Sequence, residues 1–304
     1  MMLQNLLLFF IGSAFGSFLN VLYFRYQPDK FLLNKDIIKG RSYCPKCHKT
    51  LSFYELIPVI SFIIQGGKCS SCKQKISFQY ILIEILAGLI FVFTPLFLRN
   101  NFITFFSKIH NIYYFWTLSF IWSIIFLTLI LIALIDLKFQ IIPNELNLFL
   151  LFLGITLNVL EFYNWNDFYS FIGPYGMLLG FKNSLIPNKL IALLFSLILF
   201  GGLVALTRGR GMGMGDVKLM LVLSVVFGWP EIIIISILSF VLGGIISVIA
   251  LILKRKTTKS LLPFGPFIIV SCFLIFFLGH EVLNLYFYVA NKIPFSLFKI
   301  LNLE

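Results

Sequence analysis

Charge is scarce along this chain, and negative charge scarcer still: 12% of the residues are charged, with 12 Asp and Glu against 24 Lys and Arg. Soluble globular domains carry about 25% charged residues, so most of this molecule cannot face water. The apolar runs lack polar alternation, which excludes a transmembrane β-barrel. No basic residue precedes the first run and no convincing cleavage site follows it, so it is expected to stay as a helix rather than leave as a signal peptide. Cysteine is limited to five residues. No G-x-G-x-x-G cofactor signature links a strand to a helix, and no internal repeat stands out.

What remains is hydrophobic: 60% apolar and 17% aromatic residues, with a mean hydropathy of +0.98. The expected fold is an all-α polytopic membrane protein. A helix needs about 20 apolar residues to cross a hydrocarbon core. Eight such spans are expected, at about 3–24, 78–98, 113–136, 142–163, 188–207, 215–229, 232–253 and 263–289, the sixth being short. The net charge of +12 lies between the runs rather than on one amphipathic face, so it reports orientation and not nucleic-acid binding. Between spans 1 and 2 lie ten of the 24 Lys and Arg. Eighteen in all fall on the side of that loop and six on the other. By the positive-inside rule this places the loop and both termini in the cytoplasm.

Three parts are expected: the first span (1–24), a cytoplasmic loop (25–77) and a membrane domain (78–304). The loop is too short to build a large core and needs a staple. Cys44-Pro-Lys-Cys47 and Cys69-Ser-Ser-Cys72 supply one, two C-x2-C turns separated by 21 residues. That spacing is close to a zinc ribbon, and four thiolates complete a tetrahedral Zn2+ site. Two disulfides are the alternative, which a reducing cytoplasm disfavours. His48 is read as a solvated neighbour, and Cys272, alone in the last span, as a small buried hydrophobe. The outer connection 164–187 and the C-terminal tail show no ligand spacing.

Two carboxylates stand out because ionised groups beside spanning helices are costly. Asp136 ends the run LTLILIALID, and Asp216 follows the glycines of GMGMGD. Each precedes a lysine by two positions, Lys138 and Lys218. The topology puts both at the cytoplasmic edge, where a carboxylate pair can act as general acid and base. Gly211, Gly213 and Gly215 tolerate positive φ and leave backbone exposed for an extended substrate. Glu84, at the start of span 2, is either a contact for a substrate amine or a helix N-terminal charge favoured by the dipole.

With those residues in hand, the chain resembles the bacterial type IV prepilin peptidases, a family of bifunctional leader peptidases and N-methyltransferases. The resemblance runs through Gly16-Ser-Phe-Leu-Asn20, the two Cys pairs, Ile57-Pro-Val-Ile-Ser61, Ile76-Ser-Phe-Gln-Tyr80 with Glu84, Ile135-Asp136 with Ile142-Pro143, Gly213-Met-Gly-Asp216-Val-Lys-Leu219 and Leu262-Pro-Phe-Gly-Pro266. It implies an aspartic protease of the bacterial inner membrane whose catalytic pair matches Asp136 and Asp216. Its expected substrates are type IV prepilins or type II secretion pseudopilins, cut after Gly and then methylated on the new N-terminus with S-adenosylmethionine. The Cys quartet matches the metal-binding loop associated with methylation. Glu84, Gly213, Gly215 and Lys218 are expected to lie near the substrate. A peptidase without methyltransferase activity, or a non-enzymatic scaffold or transporter, are the competing readings.

Overall fold

The computed structural model describes residues 2–32, 40–106, 112–164, 170–172, 175–176, 185–209, 211–253 and 262–292, with side chains at all of these except 100–106, 164 and 286–292. Most of the outer connection 164–187 and the tail from residue 293 fall outside that set. The described residues are helical, with two isolated β-bridges and no strands. The long helices are α1 (Met2–Arg25), α3 (Phe78–Phe106), α4 (Ile112–Phe139), α5 (Asn144–Asn164), α9 (Glu231–Ile252) and α10 (Gly265–Lys292). Shorter ones are α2 (Ile60–Ile64), α6 (Leu185–Ser196), α7 (Gly202–Thr207) and α8 (Met214–Phe227). A π-helical turn, Leu197–Gly201, joins α6 to α7, so 185–207 acts as one continuous span.

Seven helices among the described residues are long and apolar enough to cross a membrane. The sixth expected span is the exception. It forms α8, with 14 residues, about 21 Å of helix against a hydrocarbon core of about 30 Å.

The chain divides into two compact units, Met1–Phe149 and Leu150–Glu304. In the first, α1 lies against α3 through small residues, as membrane helices do when close backbone approach replaces a hydrophobic driving force. A Cβ on Gly12 would sit 2.5 Å from the Ala87 carbonyl oxygen, and one on Gly16 would sit 2.8 Å from the Ala87 Cβ. Gly88 answers from α3, where a Cβ would meet the Phe9 ring at 2.6 Å. Around this contact Phe15 stacks on Phe91 and Phe24 on Tyr80, and Asn20 Nδ2 donates to the Tyr80 carbonyl at 3.1 Å. The motif beginning at Gly16 is thus a helix-packing device.

In the second unit, α8 is the central element and is held by backbone contacts. Gly154 of α5 meets Val226, Asn158 Nδ2 donates to Val225 O at 3.0 Å, and Lys189 Nζ donates to Val226 O at 2.8 Å. Ser196 and Ser224 share a buried 2.6 Å hydrogen bond between α6 and α8. Beyond the C-terminal end of α8, the buried Glu231 accepts from Ser170 Oγ at 2.6 Å and from Phe171 N at 3.0 Å. Cys272 is fully buried, as a small core residue should be.

Candidate active site and metal centre

The metal centre is built from two matching halves. In the first, Tyr43 bridges Thr50, Cys44 N donates to Lys49 O, and His48 N donates back to Cys44 O with φ 55° at His48. In the second, Lys68 bridges Lys75, Cys69 N donates to Gln74 O, and Lys73 N donates to Cys69 O with φ 55° at Lys73. Each left-handed residue folds its C-x2-C turn tightly enough to aim two sulfurs at one point. This local repeat is invisible in the residue types, because only the cysteines and their offsets recur.

The four sulfurs all lie within 4.8 Å of one another, with Cys44–Cys72 at 3.8 Å and Cys47–Cys69 at 3.9 Å. A disulfide needs about 2.0 Å, and the cysteines are free thiols. Tetrahedral zinc with bonds of about 2.3 Å requires sulfurs about 3.8 Å apart. The quartet therefore fits a four-coordinate ion. Local electrostatics favour thiolates in the first position of each turn. The backbone N–H groups of Cys47 and Lys46 lower the Cys44 thiol to about 6, and those of Cys72 and Ser71 lower Cys69. Cys47 runs the other way, up to about 11: the Lys49 amide pulls it down, but desolvation and the sulfurs of Cys44, Cys72 and Cys69 outweigh that pull. A cation at the centre removes this conflict. His48 lies outside the cluster, its ring stacked on Tyr43.

The residue missed in the sequence is Glu55, which ties both halves to the segment between them. Ser52 and Glu55 form a capping box, with Ser52 N donating to Glu55 Oε2 at 2.8 Å. The other oxygen, Oε1, accepts from Ser70 Oγ and from Lys49 Nζ at 3.3 Å. Chiefly through the Ser70 bond and then the Ser52 amide, the Glu55 carboxyl is lowered to about 2. The Ser-x-x-Glu spacing was the available signal.

Glu84 lies in the second turn of α3, outside the first turn where the helix dipole is felt. It is buried, and its Oε2 accepts from Val59 N at 2.8 Å. Val59 is in a γ-turn of the rare, strained kind, φ 63° and ψ −51°, closed by Ile60 N on Pro58 O at 2.6 Å. Such a conformation costs a β-branched residue about 1–3 kcal/mol and persists only where the surroundings enforce it. The Ile57-Pro-Val-Ile-Ser61 stretch is thus a bent strap fastened to Glu84.

Asp136 belongs to the first unit and is buried in the last turn of α4. Gln140, at φ 56°, ends the helix by donating to Asp136 O at 2.8 Å, and Pro143 prevents its resumption before α5. The end of α4 is fixed against α1: Phe139 packs edge-on to Tyr26, and Lys138 lies over the Tyr23 ring at 5.2 Å. Burial, then the carboxylates of Glu145 and Asp29, raise the Tyr26 hydroxyl.

Asp216 belongs to the second unit, in the first turn of α8 and half-buried. Gly213 is the N-cap, and Asp216 N donates to its carbonyl at 3.2 Å. The Asp216 carboxylate curls back over that cap, its Oδ2 3.5 Å from where a Gly213 Cβ would stand. The glycine run does not use the positive φ that it tolerates. Gly213 is extended at φ −77°, and among Gly211, Gly213 and Gly215 none has positive φ; the left-handed residues are Arg208 and Gly209, just upstream. Gly211 matters for space, since a Cβ there would meet Thr207 Cγ2 at 2.9 Å. Gly211 and Gly213 are exposed, as is Lys218.

Residues 10–98 match the Bacterial Peptidase A24 N-terminal domain, and residues 123–248 match the Type IV leader peptidase family. The chain belongs to that leader peptidase family. More particularly, it is similar to proteins named prepilin leader peptidase/N-methyltransferase along nearly all of their length. Identity is 29% to that of Bacillus subtilis (strain 168), covering 93% of this chain and 98% of the relative. It is 27% to that of Pseudomonas aeruginosa, covering 92% of each, and 29% to that of Neisseria gonorrhoeae, covering 88% and 87%. No solved structure matches the chain.

Proposed function

We propose that this chain is a multi-pass membrane enzyme that cleaves the leader from type IV prepilin or pseudopilin precursors after Gly and N-methylates the residue so exposed. The carrying observation is that similarity to relatives named for both activities extends over 92–98% of the chains compared in two of them, across the cysteine module and both Asp positions. A precursor made of a basic leader and a hydrophobic helix suits an enzyme of this build. The helix stays in lipid, and the junction arrives at the membrane edge. The charge asymmetry supports a cytoplasmic edge, and the resemblance to bacterial prepilin peptidases supports the bacterial inner membrane as the site.

We assign peptide hydrolysis to Asp136 and Asp216 as an aspartic pair. One carboxylate takes a proton from water as the water oxygen adds to the scissile carbonyl. The other, protonated, hydrogen-bonds that carbonyl, and a proton then passes to the leaving amine. Paired carboxyls do not readily ionise together, so one proton is shared until bound substrate distinguishes them. Helix ends suit this chemistry, because Asp136 is buried where α4 stops and Asp216 sits at the start of α8 beside exposed glycine backbone. Gly213, Gly215 and Lys218 belong to the substrate path, and Glu84 acts on it through the strap it holds.

For the methyl transfer, S-adenosylmethionine when bound supplies an electrophilic methyl group. The protein's share is to present the new amine deprotonated and aligned. We assign that role to the 25–77 module, with zinc held by Cys44, Cys47, Cys69 and Cys72 as its structural centre.

The test is the product mass of a membrane-embedded prepilin treated with wild type, Asp136→Asn or Asp216→Asn. Wild type is expected to give a product cut after Gly and heavier by one methyl group. Each variant should lose at least about 10³-fold in cleavage, the scale of a lost catalytic group. Retained cleavage in either variant means another carboxylate does the work. Cleavage by wild type without methylation leaves a peptidase alone.

A further inference from the structure

Between the two halves of the metal centre the chain exposes an apolar surface where a water-facing module should be polar. Phe53, Tyr54, Ile63 and Ile64 are 79%, 77%, 66% and 79% exposed, and Ile60 adjoins them. An exposed patch of this kind on a segment outside the spanning helices marks a surface that is covered in use.

The Glu84 strap says by what. Glu84 stands six residues into α3, whose membrane-crossing part begins at Phe78, about 9 Å along the helix axis. Val59 is hydrogen-bonded to it. The strap is therefore held at the depth of the spanning helix, and α2 begins at the next residue, Ile60. Interfacial helices sink about 5–10 Å into the boundary of headgroups and acyl chains. Charge agrees with that level: Lys68, Lys73 and Lys75 are exposed and lie between α2 and the start of α3, as juxtamembrane basic clusters do over acidic lipid. Tyr54 has the amphipathic ring that settles at membrane interfaces.

We propose that residues 53–64 are seated in the acidic phospholipid leaflet on their own side of the membrane, so that the four-cysteine module lies on the bilayer instead of standing in water. Glu84 is the positioning residue for this seat: its carboxylate holds the strap, and the strap sets the depth of Ile60, Ile63 and Ile64. A module seated this way meets a substrate helix at the level where that helix leaves the lipid.

The experiment places a tryptophan at Tyr54 or at Ile64 (Tyr54→Trp, Ile64→Trp) in the full chain, reconstituted into vesicles of phosphatidylethanolamine and phosphatidylglycerol. The emission added over wild type is read with brominated lipid and, separately, with acrylamide in the water. The seat predicts that brominated lipid removes roughly half or more of the added emission while acrylamide removes little. It also predicts that quenching by bromine falls in vesicles of phosphatidylcholine alone, and falls for both tryptophans when Glu84→Leu releases the strap but not for Glu84→Gln, which keeps an acceptor oxygen. Acrylamide quenching without bromine quenching overturns the proposal in favour of a water-facing patch. Protection from both, with concentration-dependent cross-linking between chains, overturns it in favour of a second copy. Equal bromine quenching in phosphatidylcholine overturns the assignment to acidic lipid. Both variants sit on exposed positions, and retained cleavage of prepilin certifies that each is folded.

Discussion

At the scale of single residues, the acidic side chains are few, and those with described partners differ in what they hold. Glu55 is the one whose carboxylate ties Lys49 and Ser70, one in each half of the four-cysteine module, to Ser52 between them. Its carboxyl is lowered from an ordinary 4.5 to about 2 by Ser70 and Ser52. A depressed carboxylate stabilises the fold fully above its unfolded value and loses that contribution as pH falls through the folded one. The expected window of loss is therefore from about pH 5 down to about pH 2. Glu55→Gln should remove that acid-dependent step from the unfolding of the module, read by hydrogen–deuterium exchange of the 40–77 region against pH, with rates corrected for the intrinsic pH dependence of exchange. If wild type and variant show the same profile, the Ser70 and Ser52 bonds do not hold the module. Asp136 and Asp216 stood out in the sequence because a carboxylate at the end of an apolar run has few innocent explanations. Glu55 was legible only as a Ser-x-x-Glu spacing. Glu231 gave no signal, since its partners Ser170 and Phe171 lie 61 and 60 residues away in the chain.

At the scale of elements, hydrophobic runs announced the spans to within a few residues, because length and apolarity alone decide what crosses a bilayer. How the helices meet was not announced. Nothing about Gly12 or Gly16 in the sequence named a packing partner until Ala87 is found 2.5 and 2.8 Å from where their Cβ atoms would be. Gly12→Leu is expected to force α1 and α3 apart, with an overpacking cost of about 1–3 kcal/mol. The check is thermal unfolding in detergent, where Gly12→Leu should melt several degrees below wild type; an unchanged transition would show that the helices do not need that approach. The π turn of Leu197–Gly201 was likewise hidden, since it depends on packing partners, whereas the shortness of the sixth span, now α8, was already read from its apolar run. The glycine run before Asp216 could tolerate left-handed backbone, but extended backbone at Gly213 and close approach at Gly211 are what the turn uses.

At the scale of the whole molecule, Lys and Arg decide the orientation in the membrane, and that is open to direct reading. Trypsin added to inside-out vesicles should cut within 25–77 and after Arg208, and right-side-out vesicles should protect both. The reverse pattern would turn the molecule over and move Asp136 and Asp216 to the far side. The matched halves of the metal centre bear on how the chain is made. When Cys47 has left the ribosome, only two of the four sulfurs that could hold an ion have emerged. Twenty-one further residues, the greasy 53–64 stretch among them, must emerge before Cys69 and Cys72 can close the shell. Phe78 opens the next membrane helix only six residues after Cys72. A four-sulfur site can thus first be completed only as the second membrane helix is about to follow, so metal supply during synthesis, and not only afterwards, bears on how this module folds.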